Sequence, residues 1–174
     1  MLFMFVHVSS RGGVTMKGDN LLFAEIDDQN VIVFENLAQA YEAEFSTLTQ
    51  KVPNKLGVFK IDVNPLQRFS GYLVYDGNIP IGFSVVDVES SVNDILEFYI
   101  IPSMRHKKYG YALAAMVFDK HPGAWQVRQI KGADDATSFW RRVIKKYTND
   151  RFKEQVITDA TWGEVTCQQF KSMG

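Results

Sequence analysis

Residues 95–113 read Ile95-Leu96-Glu97-Phe98-Tyr99-Ile100-Ile101-Pro102-Ser103-Met104-Arg105-His106-Lys107-Lys108-Tyr109-Gly110-Tyr111-Ala112-Leu113. An apolar run of strand character, 95–101, passes through a proline into a basic, glycine-containing turn. Beyond it Leu113, Met116 and Val117 recur at helical spacing. A strand that hands over to a helix in this way presents backbone N–H groups at the helix N-terminus. There the helix dipole and the neighbouring Arg105, Lys107 and Lys108 favour an anion such as a pyrophosphate. The plain alternative is a solvated turn without a ligand.

Outward from this stretch, 71–75, Asp76-Gly77-Asn78 and 80–87 predict a strand, a tight turn and a second strand. Residues 90–93 turn the chain into the strand at 95–101. Upstream, 21–26 reads as a strand, with Asp27, Asp28 and Asn30 available to cap a helix that carries Phe34, Leu37, Tyr41, Phe45 and Leu48. Residues 51–69, with Pro53, Gly57 and Pro65, predict a loop with a short helix. Downstream, the helix after the basic turn stops at His121-Pro122-Gly123, and 125–130 is a short strand. Ala136, Phe139, Trp140, Val143, Ile144 and Tyr147 then mark an amphipathic helix with Asp134 as its expected cap. Residues 152–158 and 163–170 close the chain as strands. The order is that of a mixed α/β layered domain.

Composition narrows the class. A chain of 174 residues that is 46% hydrophobic can bury one core, and one domain over 1–174 is expected. Residues 1–15 read as an extension ahead of a second start at Met16. The apolar run at 1–8 lacks a charged leader, and no later run has membrane-spanning length, so a soluble protein without a membrane partner is expected. The single cysteine, Cys167, excludes an internal disulfide and fits a cytoplasmic setting. No Cys/His cluster has zinc-ligand spacing, and no metal is expected. Of the three histidines, His7 lies in the extension, His121 in a helix stop and His106 in the basic turn.

Net charge is −1, but residues 1–104 carry −7, 105–153 carry +8 and 154–174 carry −2. A basic second half fits a phosphate-rich ligand, and an acidic first half fits a cationic acceptor such as an amine. Glu35, Glu42 and Glu44, and likewise Arg141, Arg142, Lys145 and Lys146, can equally be solvated helix faces. No nucleic-acid reading motif accompanies the basic region.

The turn resembles the coenzyme A signature of the GNAT acetyltransferase superfamily. Ile100-Ile101-Pro102-Ser103-Met104-Arg105-His106-Lys107-Lys108-Tyr109-Gly110 retains the Pro, the Arg and the second Gly, and Lys108 replaces the first Gly. An alternative register, Lys107-x-x-Gly110-x-Ala112, keeps both small positions and loses the Arg. Ala133-Asp134-Asp135-Ala136-Thr137-Ser138-Phe139-Trp140 is similar to the superfamily's Asn-x-x-Ala-x-x-Phe-Tyr segment, and 118–144 is especially like an uncharacterised acetyltransferase group within it. The element order from about residue 20 to 160 is similar as well.

The resemblance implies a mostly antiparallel mixed sheet with helices on both faces, and acetyl-CoA as co-substrate. It places the pantetheine arm along Phe98, Tyr99, Ile100 and Ile101, with a backbone N–H near Tyr99 or Ile100 polarising the thioester carbonyl. The pyrophosphate would be wrapped by Arg105, His106, Lys107, Lys108, Tyr109, Gly110, Tyr111 and Ala112. It implies transfer of acetyl directly to a primary amine of a small molecule or peptide, by a monomer or homodimer. Residues 28–69 and the final strands would select the acceptor.

Glu97, a carboxylate inside an apolar strand, is the candidate general base, since burial raises a carboxyl pKa toward neutrality; strand alternation could instead turn it to solvent. Trp140 occupies the place of the family's Tyr acid, and Ala133 that of its helix-start Asn. Tyr147, two turns further along the same stripe, is the candidate that can replace the acid, with core packing as its alternative. These departures also favour a second reading, a catalytically weak module of the same fold that binds acyl-CoA or a partner.

Overall fold

The computed structural model describes residues 21–174. The elements are β1 (Leu21–Glu25), α1 (Val31–Thr49), β2 (Ser70–Asp76), β3 (Ile79–Asp87), β4 (Asn93–Ile100), α2 (Tyr109–Lys120), β5 (Gly123–Ile130), α3 (Asp134–Thr148), β6 (Phe152–Asp159) and β7 (Gly163–Ser172), with a 3₁₀ turn at Pro102–Met104. The strands form one sheet in the order β1-β2-β3-β4-β5-β7-β6. Every neighbouring pair is antiparallel except β4–β5. That junction is parallel because α2 carries the chain back across the sheet between the two strands. The extension at 1–15, and His7 within it, lie outside the described residues.

Each face of the sheet has its own apolar layer. On one, Phe34 and Ala38 of α1 are buried with Leu73, Phe83, Val85 and Tyr99. On the other, Leu113, Val117 and Phe118 of α2 and Trp140, Val143 and Ile144 of α3 pack with Val74, Ile95, Trp125 and Phe170. Each of these large side chains contributes about 1.5–3 kcal/mol by leaving water. No described helix is long and apolar enough to cross a membrane.

Three local expectations are corrected. The short helix expected within 51–69 is absent: Asn54 Oδ1 accepts from the Leu56 and Val58 N–H, Gln39 brackets Phe59, and Gly57 takes φ +76°. Side chains satisfy this backbone, where Pro53 and Pro65 interrupt any helical ladder. Asn30 stands at the start of α1 without a capping bond. Instead Asp27 Oδ1 accepts from the Gln29 and Asn30 N–H, and Asn30 bonds the Asp27 N–H and the Glu25 carbonyl. Asp134 is likewise not a cap but the first residue of α3, where it and Asp135 favour the positive end of the helix dipole.

Candidate functional site

The site starts from an irregularity in β4. Val85 and Val86 are consecutive on β3, yet they oppose Glu97 and Ile95, so Leu96 is an additional residue in β4. Such a bulge bends its strand and ends pairing locally. β4 pairs with β5 only from Asn93–Trp125 to Ile95–Val127, and beyond that the two strands part.

Antiparallel pairing alternates the direction of main-chain groups. The Ile101 N–H donates to the Ile81 carbonyl on β3. By that alternation Tyr99 and Glu97 also face β3, while the N–H and C=O groups of Phe98 and Ile100 face the gap. The donor expected near Tyr99 or Ile100 is therefore offered by Phe98 and Ile100, and not by Tyr99. Gly82, opposite Ile100, permits the close strand approach, because a Cβ there would lie 2.2 Å from the Tyr99 carbonyl oxygen.

At the end of β4 the basic turn enters α2 through two left-handed residues, His106 at φ +65° and Lys108 at φ +67°. Lys108 thus adopts the conformation that glycine favours. The first helical bond runs from the Ala112 N–H to the Lys108 carbonyl, which leaves the Gly110 and Tyr111 N–H groups directed out of the helix end. Gly110 lets the helix end approach α3, since a Cβ there would lie 3.0 Å from the Phe139 ring. His106, Lys107 and Lys108 are exposed. Tyr109 bonds Asp76, and the Tyr111 ring lies under Lys146.

Arg105 does not present its fork to this turn. Its guanidinium forms a bidentate pair with Glu44 of α1 at 2.8 Å, and its Nε donates to the Ile100 carbonyl. In this structure the residue expected to bind pyrophosphate clips α1 to the end of β4. Glu44, read in the sequence either as part of an acidic face for a cationic acceptor or as a solvated one, is its partner, and Glu42 is buried and paired with Lys51 at 2.8 Å.

Glu97 projects toward α1 and is half-buried. Burial pushes its carboxyl up to about 7, against a hydrogen bond from Tyr41 that pulls it down. Strand alternation therefore does not leave it in open solvent. Tyr41 stacks on Phe45 at 5.5 Å, and Phe45 meets the edge of Trp162 in the β6–β7 turn at 6.4 Å. Asp159 holds that turn by accepting from the Thr161 and Trp162 N–H, and is itself paired with Arg128. An aromatic wall thus leads from half-exposed Trp162 to Glu97. The sequence stripe included Tyr41 and Phe45; Trp162 carried no local signal.

Tyr147 lies elsewhere. Its hydroxyl donates to Asp119 at 2.6 Å and shares a 2.7 Å bond with Ser172, at the far end of α2, about 15 Å along the helix from the basic turn. Burial first, then Asp119, pushes this phenol up to about 12. In this structure the hydroxyl expected as a proton donor ties α3 to the ends of α2 and β7. Trp140 is buried against Phe98, Phe118 and Phe139. His121 meets the Tyr72 hydroxyl. Among the described residues no group of three or more His, Cys, Asp or Glu is placed to hold a metal ion.

No protein-family model matches the sequence, and no curated protein matches it. Solved structures do. RimL, a ribosomal alpha-N-protein acetyltransferase in complex with coenzyme A, superposes with a TM-score of 0.61 at 11% identity, covering 92% of this chain and 98% of its own. A chimera of the spermidine N-acetyltransferase SpeG of Vibrio cholerae and hSSAT gives 0.59 at 9% identity, over 88% and 96% of the two chains. The ribosomal-protein-alanine N-acetyltransferase of Escherichia coli gives 0.57 at 9% identity, over 87% and 94%. The chain has the layered α/β fold of these GNAT-type enzymes.

Proposed function

We propose that this chain, acting as one domain, is an acetyl-CoA-dependent N-acetyltransferase that transfers acetyl directly to a primary amine of a small molecule or peptide. The observation that carries the reading is the parting of β4 from β5 after Ile95–Val127, with main-chain groups lining the gap and a basic helix start at its end. An extended amide-bearing arm fits such a gap, and a pyrophosphate fits such a helix start. Two of the superposed enzymes act on amines by name, and one carries coenzyme A.

Bound acetyl-CoA supplies an acetyl group activated as a thioester. The chain's residues do the rest. Phe98 and Ile100 offer N–H donors to a carbonyl oxygen in the gap. Lys107 and Lys108 supply positive charge near phosphate, His106 stands beside them in the same turn, and Gly110 and Tyr111 supply N–H donors. Glu97, with a carboxyl near 7, takes the proton from an incoming ammonium so that a neutral amine attacks. The acceptor approaches along Tyr41, Phe45 and Trp162, with Glu42 and Asp62 nearby on the Lys51 network. Aromatic faces beside carboxylates suit a cationic amine.

The test is calorimetric titration of acetyl-CoA into the wild type and Lys108→Glu, with turnover measured on a panel of polyamines and peptide N-termini. Binding that weakens at least tenfold in Lys108→Glu, with turnover abolished in Glu97→Gln, supports the reading. Absence of acetyl-CoA binding by the wild type overturns it.

A further inference from the structure

On β5 the side chains of Trp125, Val127 and Gln129 alternate onto the face covered by α2 and α3, and all three are buried, Gln129 to 4% exposure. The first two belong to the apolar core of that face. The third brings a carboxamide into the same row, where a leucine or valine would complete the packing without a polar group. Neither Oε1 nor Nε2 of Gln129 meets a hydrogen-bond partner among the described residues. Buried polar atoms in folded proteins are almost always bonded, so this one requires an account.

Its place on the sheet supplies one. On one side Gln129 is in register with Thr166 of β7. On the other, the β4–β5 ladder ends at Ile95–Val127. Two further residues of the same register would bring Gln129 opposite Glu97, where the bulge at Leu96 has already turned β4 away. Gln129 therefore lies on the stretch of β5 that borders the gap, its carboxamide on the side of the sheet covered by α2 and α3, with the main-chain groups of Phe98 and Ile100 on the opposite border. It holds one donor and one acceptor on a single planar group. An extended arm that carries more than one secondary amide offers both a carbonyl and an N–H to such a group.

We infer that Gln129 is a positioning residue for the pantetheine arm of coenzyme A, donating from Nε2 to one of its amide carbonyls and accepting at Oε1 from an amide N–H. The inference rests on the proposed use of acetyl-CoA and adds to it a side-chain anchor where the other contacts are main-chain. It separates the two ends of the ligand: Gln129 acts on the amide-bearing arm, and the basic turn acts on the phosphates.

Titration calorimetry with coenzyme A and with adenosine 3′,5′-bisphosphate, which lacks the arm, tests this on the full chain as wild type, Gln129→Leu and Gln129→Met. Thermal melts of the ligand-free proteins accompany it. The expected result is coenzyme A affinity at least tenfold weaker in both variants, unchanged affinity for the bisphosphate, and a melting temperature equal to or above that of the wild type. Coenzyme A affinity unchanged in both variants would overturn the inference. Equal loss for both ligands with a lowered melting temperature would also overturn it, in favour of a structural role. A wild type that binds the bisphosphate and not coenzyme A would overturn the acetyl-CoA reading itself.

Discussion

Asp94 and Glu97 stand three residues apart on β4 and yet face the same side of the sheet, which strict alternation forbids. The register explains it: Asp94 opposes Asp87 and Glu97 opposes Val85, with Leu96 as the uncounted residue between them. Asp94 is tied to β5 through Gln126 and Arg128. Glu97, one bulge later, has lost that neighbour strand and faces Tyr41 instead. A single residue divides a paired half of β4 from a half that lines the gap.

Glu97→Gln should lower kcat/KM on amine acceptors by about 10²-fold or more and remove the acidic limb near pH 7 from the wild-type profile. Stability should change in a defined direction. Because the folded-state pKa lies above the ordinary 4.5, the folded chain holds the additional proton between that value and about 7, and wild-type stability falls as pH rises through this window. Chemical denaturation should show the variant free of this slope and, at pH 8, more stable than wild type by about 1–3 kcal/mol.

Lys108→Gly should stabilise the chain, since it relieves a non-glycine residue at φ +67°. The gain should be about 1 kcal/mol, read as a rise in melting temperature. Coenzyme A affinity should fall only modestly, because the N–H groups of the turn remain.

Gly82→Ala should do the opposite. Its Cβ would lie 2.2 Å from a main-chain oxygen, so β3 and β4 must separate rather than a side chain yield. A loss of about 3 kcal/mol in denaturant unfolding is expected, with coenzyme A affinity reduced alongside it, as the gap-lining part of β4 shifts.

A double-mutant cycle of Arg105→Gln and Glu44→Gln should give a coupling of about 0.5–1 kcal/mol in the ligand-free chain, reduced at high salt, as suits a partly exposed bidentate pair. If the clip is structural, saturating coenzyme A leaves that coupling unchanged. If Arg105 leaves Glu44 for phosphate, the coupling vanishes in the complex.

What the sequence made legible was what repeats or punctuates. The alternation around Asp76-Gly77-Asn78, the helical stripe from Ala136 to Tyr147 and the strand-turn-helix at 95–113 all produce elements where they were expected. Glu97 was legible because a carboxylate breaks an apolar run. The bulge at Leu96 was not, since one additional residue leaves no periodic trace and shows only against its partner strand. The partnership of Arg105 with Glu44 spans 61 positions, and nothing local distinguishes a clip from a phosphate ligand. The bonds of Tyr147 to Asp119 and Ser172 were hidden for a related reason: helical spacing gives the face of α3 but not which end of the helix lies near the gap. Gln129 had a readable signal, a polar residue third in the row of Trp125 and Val127, which only burial made meaningful.

The aromatic wall also makes the molecule its own instrument. Of the three tryptophans, Trp125 and Trp140 are sealed in the core and Trp162 is 51% exposed. Only the last has an indole whose polarity and quenching can change when a solute settles against Phe45. Its emission would report acceptor occupancy separately from coenzyme A, so the order in which the two substrates bind can be followed without a label.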